Sequence, residues 1–311
     1  MASTVLKSIS KNLKKESNAF HLMLLPGVIV TFIFAYIPLA GIVMAFQNFR
    51  PFLGFSGSDW VGFDNFRFLF SNPAFWTSMQ NTVIIAVWKI ALNILVPLTL
   101  ALLLNELGQK AFSRLFKRFT QTVVFIPFFF SWAILGGIIM QMFSYESGIV
   151  NTIVVSLGGE RTPWLISNDH MRALIISTDV WKVMGYNTVI FLAAITNVDP
   201  GMYEAAKVDG AGHLRQLWSI TLPTIMPIVL LMTILGMGSI LNAGFEQILM
   251  LENSVVRPTV DIIDTFIFRT GLQGGQFSIG AAAGLFRSAI SMGFVGISYF
   301  IAYKVTDYRV F

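Results

Sequence analysis

Six long runs of apolar residues, separated by more polar segments, account for most of this 311-residue chain. Each run is close to the ~20 residues that an α-helix needs to cross the hydrocarbon core of a bilayer. The pattern therefore predicts an all-α integral membrane protein with six transmembrane helices. The predicted spans are residues 21–47, 80–106, 119–143, 172–196, 224–250 and 276–303.

The composition supports a membrane location. Hydrophobic residues make up 55% of the chain and charged residues only 12%, whereas soluble domains carry about 25% charged residues. The net charge of +5 does not indicate nucleic-acid binding, because the basic residues cluster beside the predicted spans. Clusters in this position orient membrane proteins and can contact anionic lipid headgroups. The chain has no cysteine, so disulfides contribute nothing to its stability.

Basic residues are distributed unevenly between the two sides of the predicted membrane domain. With a cytoplasmic amino terminus, the inside segments carry twelve Lys and Arg residues and the longer outside segments carry six. Because Lys and Arg accumulate on the cytoplasmic side, we predict that both termini and the loop 197–223 are cytoplasmic. Residues 1–20 are predicted to form a cytoplasmic arm, and residues 21–311 the transmembrane domain. The first span is expected to be a retained signal anchor, since its apolar run is too long for a cleaved signal.

The polar loop between the fourth and fifth predicted spans has a specific spacing. Its Glu-Ala-Ala triplet at 204–206 favours a helix, and Gly210 allows the chain to leave that helix through a turn with positive φ. A second short helix is expected to follow, and Pro223 suits the first turn of the next membrane helix. The sequence therefore predicts a helix–turn–helix that projects from the membrane.

Together with Ile220, Leu222 and Pro223, this spacing resembles the EAA loop of ABC importer permeases, the cytoplasmic element that meets an ATPase subunit. The resemblance implies the type I ABC importer permease fold, with six transmembrane helices and an EAA-type coupling loop at 197–223. The residues that it implies for ATPase coupling are Glu204, Ala205, Ala206, Asp209, Gly210 and Ala211.

Other segments resemble the carbohydrate-importing members of this family. These segments are Trp60–Phe66, Asn81-Thr82 and Trp181-Lys182 with Gly185-Tyr186-Asn187. Two more, Gly244–Gln247 and Asp261–Thr265, resemble the branch that is associated with oligosaccharides derived from polysaccharides, although Phe266 stands where that branch often has Tyr. The resemblance implies import of sugars, with oligosaccharides from polysaccharide breakdown as the expected substrates.

The family resemblance also implies partners and a location. The expected complex contains a second permease subunit, two cytoplasmic ATPase subunits and an extracytoplasmic sugar-binding protein, and the family favours two different permease chains. This chain has no Gly-x-x-x-x-Gly-Lys-Ser/Thr motif, so ATP and Mg are expected on the ATPase subunits and no cofactor on this chain. The implied location is the inner (plasma) membrane of a bacterial cell, as a multi-pass protein.

Ionisable residues inside membrane spans are costly, and each therefore needs an explanation. Asp179 and Lys182 are three residues apart on the fourth predicted span, so they share a helix face and can pair. They are either a structural ion pair or part of the sugar path. Tyr186 extends the same stripe, and Asn187 adds an amide beside it. An aromatic ring and an amide together suit a sugar, which has C–H faces and hydroxyl groups.

Asn242, Glu246 and Gln247 form a second polar cluster on the fifth predicted span. Asn242 and Glu246 are four residues apart and share a face, where they line the path or pack against the partner permease. Lys89 and Arg287 each stand alone in an apolar span, and the sequence leaves open whether Lys89 faces a cavity or neutralises an acid on a neighbouring helix. The substrate-path residues predicted are Asp179, Lys182, Tyr186, Asn187, Asn242 and Glu246.

Three alternatives remain open at this point. An ion-coupled secondary transporter would use Asp179, Lys182 and Glu246 as a relay, but such a carrier has no use for an ATPase-docking loop. An ABC permease for a non-sugar solute would also carry an EAA-type loop. An intramembrane enzyme has the least support, because no catalytic set is present and the three histidines are too scattered to form a metal site.

Overall fold

The computed structural model describes residues 20–106, 111–238, 240–241 and 243–306. Within these residues the regular secondary structure is helical apart from an antiparallel pair of two-residue strands, β1 (Gln47–Asn48) and β2 (Asp59–Trp60), and turns and loops connect the elements. The arm predicted at residues 1–20 lies outside the described residues except for Phe20. The helices are α1 (Phe20–Phe46), α2 (Gly54–Gly57), α3 (Asp64–Ser71), α4 (Pro73–Glu106), α5 (Ala111–Phe125), α6 (Trp132–Met142), α7 (Ile149–Ser156), α8 (Asn168–Thr196), α9 (Pro200–Val208), α10 (His213–Gln216), α11 (Leu222–Gly238), α12 (Phe245–Leu251), α13 (Arg257–Val260), α14 (Ile263–Ile267) and α15 (Phe277–Thr306).

Four helices in the described part of the chain are long and apolar enough to cross a membrane. They are Phe20–Phe46, Pro73–Glu106, His213–Gly238 and Phe277–Ile297, and the bent pair α5–α6 makes a fifth if it counts as one span. The fourth predicted span falls in α8, whose 29 residues are long enough to cross but include buried polar side chains. A helix enclosed by protein tolerates such residues better than one that faces lipid. The structure thus gives four or five candidate spans where the sequence predicts six.

Two predicted spans are not continuous helices. The third, 119–143, is broken where α5 runs into a 3-10 turn at Ile126–Phe129, and α6 leaves at 109° to that segment. Pro127 lies in this turn, and proline ends or kinks a helix. The fifth, 224–250, ends as a helix at Gly238, and Gly244 (φ 99°) precedes the separate helix α12.

The centre of the fold is the contact between α4 and α8. Pro97 in α4 has no N–H, so the carbonyl of Asn93, four residues earlier, loses its helical partner. The amide Nδ2 of Asn187 in α8 donates to that carbonyl at 2.9 Å. Fully buried Ile175 and Phe191 flank this contact along α8. The hydrogen bond from Asn187 to the carbonyl that Pro97 leaves without a partner therefore helps to fix the alignment of α4 and α8.

Gly280 and Gly284 are four residues apart in α15, a spacing that is typical of close helix packing, but only Gly280 is closely packed here. A Cβ on Gly280 would lie 2.8 Å from the Cα of Gly271, whereas a Cβ on Gly284 would meet no atom within 4 Å. Gly280→Ala should therefore destabilise the protein by about 1–3 kcal/mol, because α15 must move away from the π-helical turn that contains Gly271. Gly284→Ala, one turn along the same helix, is the matched control and should be tolerated. Thermal unfolding in detergent measures both, and equal melting temperatures for the two variants would contradict the prediction.

Candidate functional site

The predicted helix–turn–helix is present at residues 200–216. Pro200 begins α9, and Oδ1 of Asp199 caps it by accepting a hydrogen bond from the amide of Gly201 at 2.9 Å. The positive φ predicted for Gly210 is confirmed, with a value of 76°. After this turn, the amide of Ala211 donates to the carbonyl of Ala206 at 2.8 Å and closes the end of the helix.

The helix–turn–helix presents a mixed polar and apolar surface to solvent. Val208 is 89% exposed, and Leu214 and Trp218 beyond the turn are also largely exposed. Large apolar side chains that share an exposed surface with polar groups are typical of protein–protein contacts. Of the six predicted coupling residues, Glu204, Ala205, Asp209 and Gly210 are exposed, and Ala206 and Ala211 are half-buried.

The second helix of this motif continues directly into the membrane helix, which therefore begins earlier than predicted. It runs continuously from His213 to Gly238, whereas the sequence placed its start near residue 224. Pro223 cannot donate a backbone hydrogen bond. The helix widens into a π-turn at Leu217–Thr221, where the amide of Leu222 bonds to the carbonyl of Leu217. This wider turn accommodates the proline without ending the helix.

Asp179 forms its ion pair with Lys89, and not with Lys182 as the spacing along one helix suggested. Nζ of Lys89 lies 3.0 Å from Oδ1 of Asp179, and Nδ2 of Asn93 donates to Oδ2 at 3.0 Å. The two charged side chains are only 8% and 14% exposed. Both partners of Asp179 come from α4, so the acid connects the two central helices.

Lys89 also forms hydrogen bonds with residues at the break between α11 and α12. Its ammonium donates to the carbonyl of Ala243 at 2.9 Å and to Oε1 of Gln247 at 2.6 Å. With Asp179, these acceptors use all three of its N–H donors. A Cβ on Gly244 would lie 2.6 Å from Nζ of Lys89, so a larger residue would displace the ammonium from its acceptors, and the positive φ of Gly244 also favours glycine there. Lys89 thus does both things that the sequence left open: it lines a cavity and neutralises a neighbouring acid.

The cavity beside this ion pair has a volume of about 340 Å³. This is within the size range of small-ligand pockets. Oδ1 of Asn93 is buried at this site with no hydrogen-bond partner among the described residues. No group of three or more potential metal ligands occurs in the part of the chain that the structure covers. The polar lining residues of the cavity are Lys89, Asn93, Asp179 and Asn187.

Lys182 and Tyr186 face the bend between α5 and α6. Nζ of Lys182 donates to the carbonyls of Phe128, at 3.4 Å, and Phe130, and lies 5.3 Å from the centre of the Trp132 ring. The ring of Tyr186, which is 43% exposed, stacks on Phe128 with centroids 4.7 Å apart. The predicted polar stripe on α8 is therefore divided, with Asp179 directed at α4 and the other two side chains at the bend.

The second predicted cluster changes because its helix is interrupted. Gly244 separates α11 from α12, so Glu246 belongs to the first turn of a new helix. Glu246 is exposed and close enough to Lys182 for an electrostatic interaction. Asn242 lies outside the described residues. The buried polar residue of α12 is Gln247, whose Nε2 donates to the carbonyl of Ile175 at 2.7 Å.

A further charge network, which the sequence analysis missed, lies between α12 and α15. Arg269 pairs with Asp261 and lies 3.6 Å from Glu252, which is also 3.9 Å from Arg257. Burial raises the pKa of the Glu252 carboxyl, the charge of Asp261 raises it further, and Arg269 and Arg257 act in the opposite direction. In the sequence, only the spacing of Asp261 and Arg269 indicated a possible ion pair. The other contacts depend on how the short helices after α11 pack against one another.

Arg287, the other cation left unexplained by the sequence, pairs with Asp264. Nε of Arg287 lies 2.8 Å from Oδ1 of the acid. Burial raises the pKa of the Asp264 carboxyl, and Arg287 partly offsets this effect. The pair connects α15 to α14 and has no contact with the cavity beside Lys89.

Comparison with known proteins gives matches over most of the chain. Residues 97–311 match the family model described as "Binding-protein-dependent transport system inner membrane component". The polygalacturonan/rhamnogalacturonan transport system permease protein YteP of Bacillus subtilis (strain 168) is 41% identical over 296 residues. That alignment covers 95% of this chain and 91% of the relative.

Solved structures match over nearly the same length. A crystal structure of a bacterial ABC transporter involved in the import of the acidic polysaccharide alginate gives a TM-score of 0.86 at 32% identity, over 96% of this chain and 99% of the other. A crystal structure of the bacterial alginate ABC transporter in complex with an alginate pentasaccharide-bound periplasmic protein also gives 0.86 at 32% identity, over 95% and 98%. The similarity therefore includes both the helix–turn–helix and the helices that surround the cavity.

Proposed function

The chain belongs to the family of binding-protein-dependent transport system inner membrane components, and we propose that it transports acidic oligosaccharides derived from uronate-containing polysaccharides. It is a multi-pass inner membrane protein and the permease subunit of a binding-protein-dependent ABC importer, a transporter subunit and not an enzyme. The observation that carries the proposal is that the relative and the solved structures named above are described with polygalacturonan, rhamnogalacturonan and alginate. These polymers all contain uronic acids, so the oligosaccharides derived from them all carry carboxylate groups.

The substrate proposal is tested by uptake into membrane vesicles that contain the complete importer. With ATP and binding protein present, labelled trigalacturonate should enter at a rate that exceeds maltotriose uptake by roughly tenfold or more, because a carboxylate adds charge-assisted hydrogen bonds. Vesicles without this permease chain are the control and should take up neither sugar. Equal rates for the acidic and the neutral trisaccharide would contradict the substrate class.

For the coupling loop we propose docking in a cleft of a cytoplasmic ATPase subunit, which binds the ATP and Mg. The exposed apolar residues around the turn and the exposed carboxylate of Glu204 support this role. The residues proposed for coupling are Glu204, Ala205, Ala206, Asp209, Gly210 and Ala211. The complex would also contain a second permease subunit of different sequence, a second ATPase subunit and an extracytoplasmic binding protein.

The proposed membrane domain has six transmembrane helices, with the broken pair α5–α6 as the third and α8 as the fourth. The substrate path proposed within it uses residues on α8 and near the α11–α12 break. The cavity lined by Asp179 and Asn187 supports this placement, as do the exposed side chains of Tyr186 and Glu246. The full set proposed for the path is Asp179, Lys182, Tyr186, Asn187, Asn242 and Glu246.

The proposed orientation places the loop after α8 in the cytoplasm and the loop after α7 outside. A reporter that is active only in the cytoplasm should therefore work when fused after Gly212 and fail when fused after Gly159. The asymmetry of Lys and Arg residues is the physical reason. A periplasm-specific reporter at the same two sites is the control and should give the opposite result. Cytoplasmic activity at Gly159 would overturn the orientation and the docking proposal with it.

A further inference from the structure

A second pocket, of about 620 Å³, lies along α4 and the first half of α8. It shares no lining residue with the cavity beside Lys89, so it is a separate site along the same helix pair. Its walls combine an indole ring, a guanidinium, hydroxyls and an amide. The lining residues that supply these groups, with one acidic side chain, are Trp88, Asn168, Asp169, Arg172, Ser177 and Thr259.

The guanidinium of Arg172 is held firmly in this pocket, but its charge is not neutralised. Nη2 donates to Oδ1 of Asn81 at 2.8 Å and to the carbonyl of Thr259 at 3.1 Å, and Nε donates to the same carbonyl at 3.2 Å. Asn81 is itself fixed, because its Nδ2 donates to the carbonyls of Pro258 and Asp261. Among the described residues, no carboxylate lies within 4 Å of Arg172 and no hydrogen bond uses its Nη1. A positioned cation with a spare donor suits a carboxylate ligand.

Trp88 gives the same pocket an aromatic surface. This residue is 55% exposed, although the neighbouring Lys89 is buried. An indole face packs well against the C–H face of a sugar ring, because both surfaces are apolar. Asn168 and Ser177 also line the pocket. Each already makes hydrogen bonds within the protein, but the amide keeps a second N–H and the hydroxyl oxygen can still accept, which suits sugar hydroxyls. The pocket therefore combines what one acidic sugar unit needs: a cation, an aromatic surface and neutral polar groups.

We propose that this pocket is a binding site for one uronate unit of an acidic oligosaccharide, with its carboxylate on Arg172 and its ring on Trp88. The inference rests on the proposed function and deepens it, because it assigns charge selectivity to particular residues of this chain. Asp169 lines the same pocket and is exposed. Its charge opposes an anion, so it limits affinity and allows the sugar to leave.

Equilibrium binding to the purified complex without its binding protein tests the site directly. The probes are trigalacturonate and its fully methyl-esterified form, which has the same length and no charge. Arg172→Gln should weaken binding of trigalacturonate by roughly tenfold or more and leave the ester almost unchanged. Trp88→Ala should weaken both probes, and Asp169→Asn should strengthen binding of the charged probe alone. Arg67→Gln is the matched control, since that arginine is highly exposed and already paired with Asp64.

The outcomes separate this inference from the proposed function. If Arg172→Gln weakens both probes equally, or if the wild-type complex binds neither, the inference is wrong, and normal vesicle uptake of trigalacturonate would leave the function standing. Failure of uptake by the wild-type importer would refute the function itself. If Arg172→Gln or Trp88→Ala chiefly separates the two permease subunits, the pocket is a subunit contact, and the inference is also overturned. Arg172→Lys, which keeps the charge, should retain part of the preference for the charged probe.

Discussion

Replacing Gly210 with valine should abolish ATP-driven uptake, by uncoupling the permease from its ATPase or by preventing their assembly. Gly210 has a φ of 76°, and a Cβ added there would meet no atom within 4 Å. Steric conflict with neighbours is therefore absent, and the effect comes from the backbone, since a β-branched residue strongly disfavours positive φ. The strain is on the order of 1–3 kcal/mol. It would be relieved by moving α10 relative to α9, which changes the surface proposed to meet the ATPase.

Gly212→Val is the matched control for this experiment. Gly212 also has no atom within 4 Å of an added Cβ, but its φ of −71° and ψ of 167° are ordinary for valine. Uptake, binding-protein-stimulated ATP hydrolysis and co-purification of the ATPase should be measured for both variants. Wild-type uptake and wild-type stimulated hydrolysis in Gly210→Val would show that this turn has no role in coupling.

The helix–turn–helix could be predicted from sequence because its determinants are local. The glycine that leaves α9 and the proline that begins it lie within eleven residues of each other, and each constrains only its own backbone. The start of the following helix could not be predicted in the same way. Pro223 is compatible with the first turn of a helix because it lacks an N–H, and only the π-turn before it reveals that the helix has already begun.

The central ion pair of the membrane domain could not be predicted because its partners are distant in sequence. Lys89 and Asp179 are 90 residues apart, whereas the spacing of Asp179 and Lys182 on one helix suggested a pair that does not form. The helix breaks are a better guide to the partners of the buried lysines. Each break frees backbone carbonyls that need donors inside the membrane, and each lysine of this region supplies them, Lys89 at Ala243 and Lys182 at Phe128.

Asn187 illustrates how a structural requirement can resemble a ligand site in sequence. The family resemblance and its place beside Tyr186 suggested contact with sugar. In the structure its Nδ2 satisfies the carbonyl that Pro97 leaves free in α4, while the residue also lines the cavity. Pro97, which leaves this carbonyl without a donor, lies far earlier in the chain than Asn187. The hydrogen bond can therefore be recognised only in the packed arrangement of α4 and α8.

Replacing Lys89 with methionine should cause the largest loss of stability in the membrane domain. The change leaves the carboxylate of Asp179, 14% exposed, with Asn93 as its remaining hydrogen-bond donor, and it removes the donor from the Ala243 carbonyl. Breaking a buried ion pair on one side costs about 3–5 kcal/mol. The amount of intact complex in membranes and its unfolding temperature in detergent should both fall. Lys182→Met is the control and should have a smaller effect, because no carboxylate lies within 4 Å of Lys182 among the described residues.

The double variant Lys89→Met with Asp179→Asn distinguishes the cost of an unpaired charge on Asp179 from the loss of the other contacts of Lys89. The amide introduced by Asp179→Asn is neutral, and its oxygen could still accept the hydrogen bond from Asn93, so the uncompensated charge disappears while the shape is kept. If the ion pair is what stabilises this region, the double variant should recover a substantial part of the lost stability. The carbonyl of Ala243 would still lack its donor, so recovery should be incomplete, and the α11–α12 break should remain looser than in the wild type. A double variant no more stable than Lys89→Met alone would show instead that the ammonium acts through the helix break and not through Asp179.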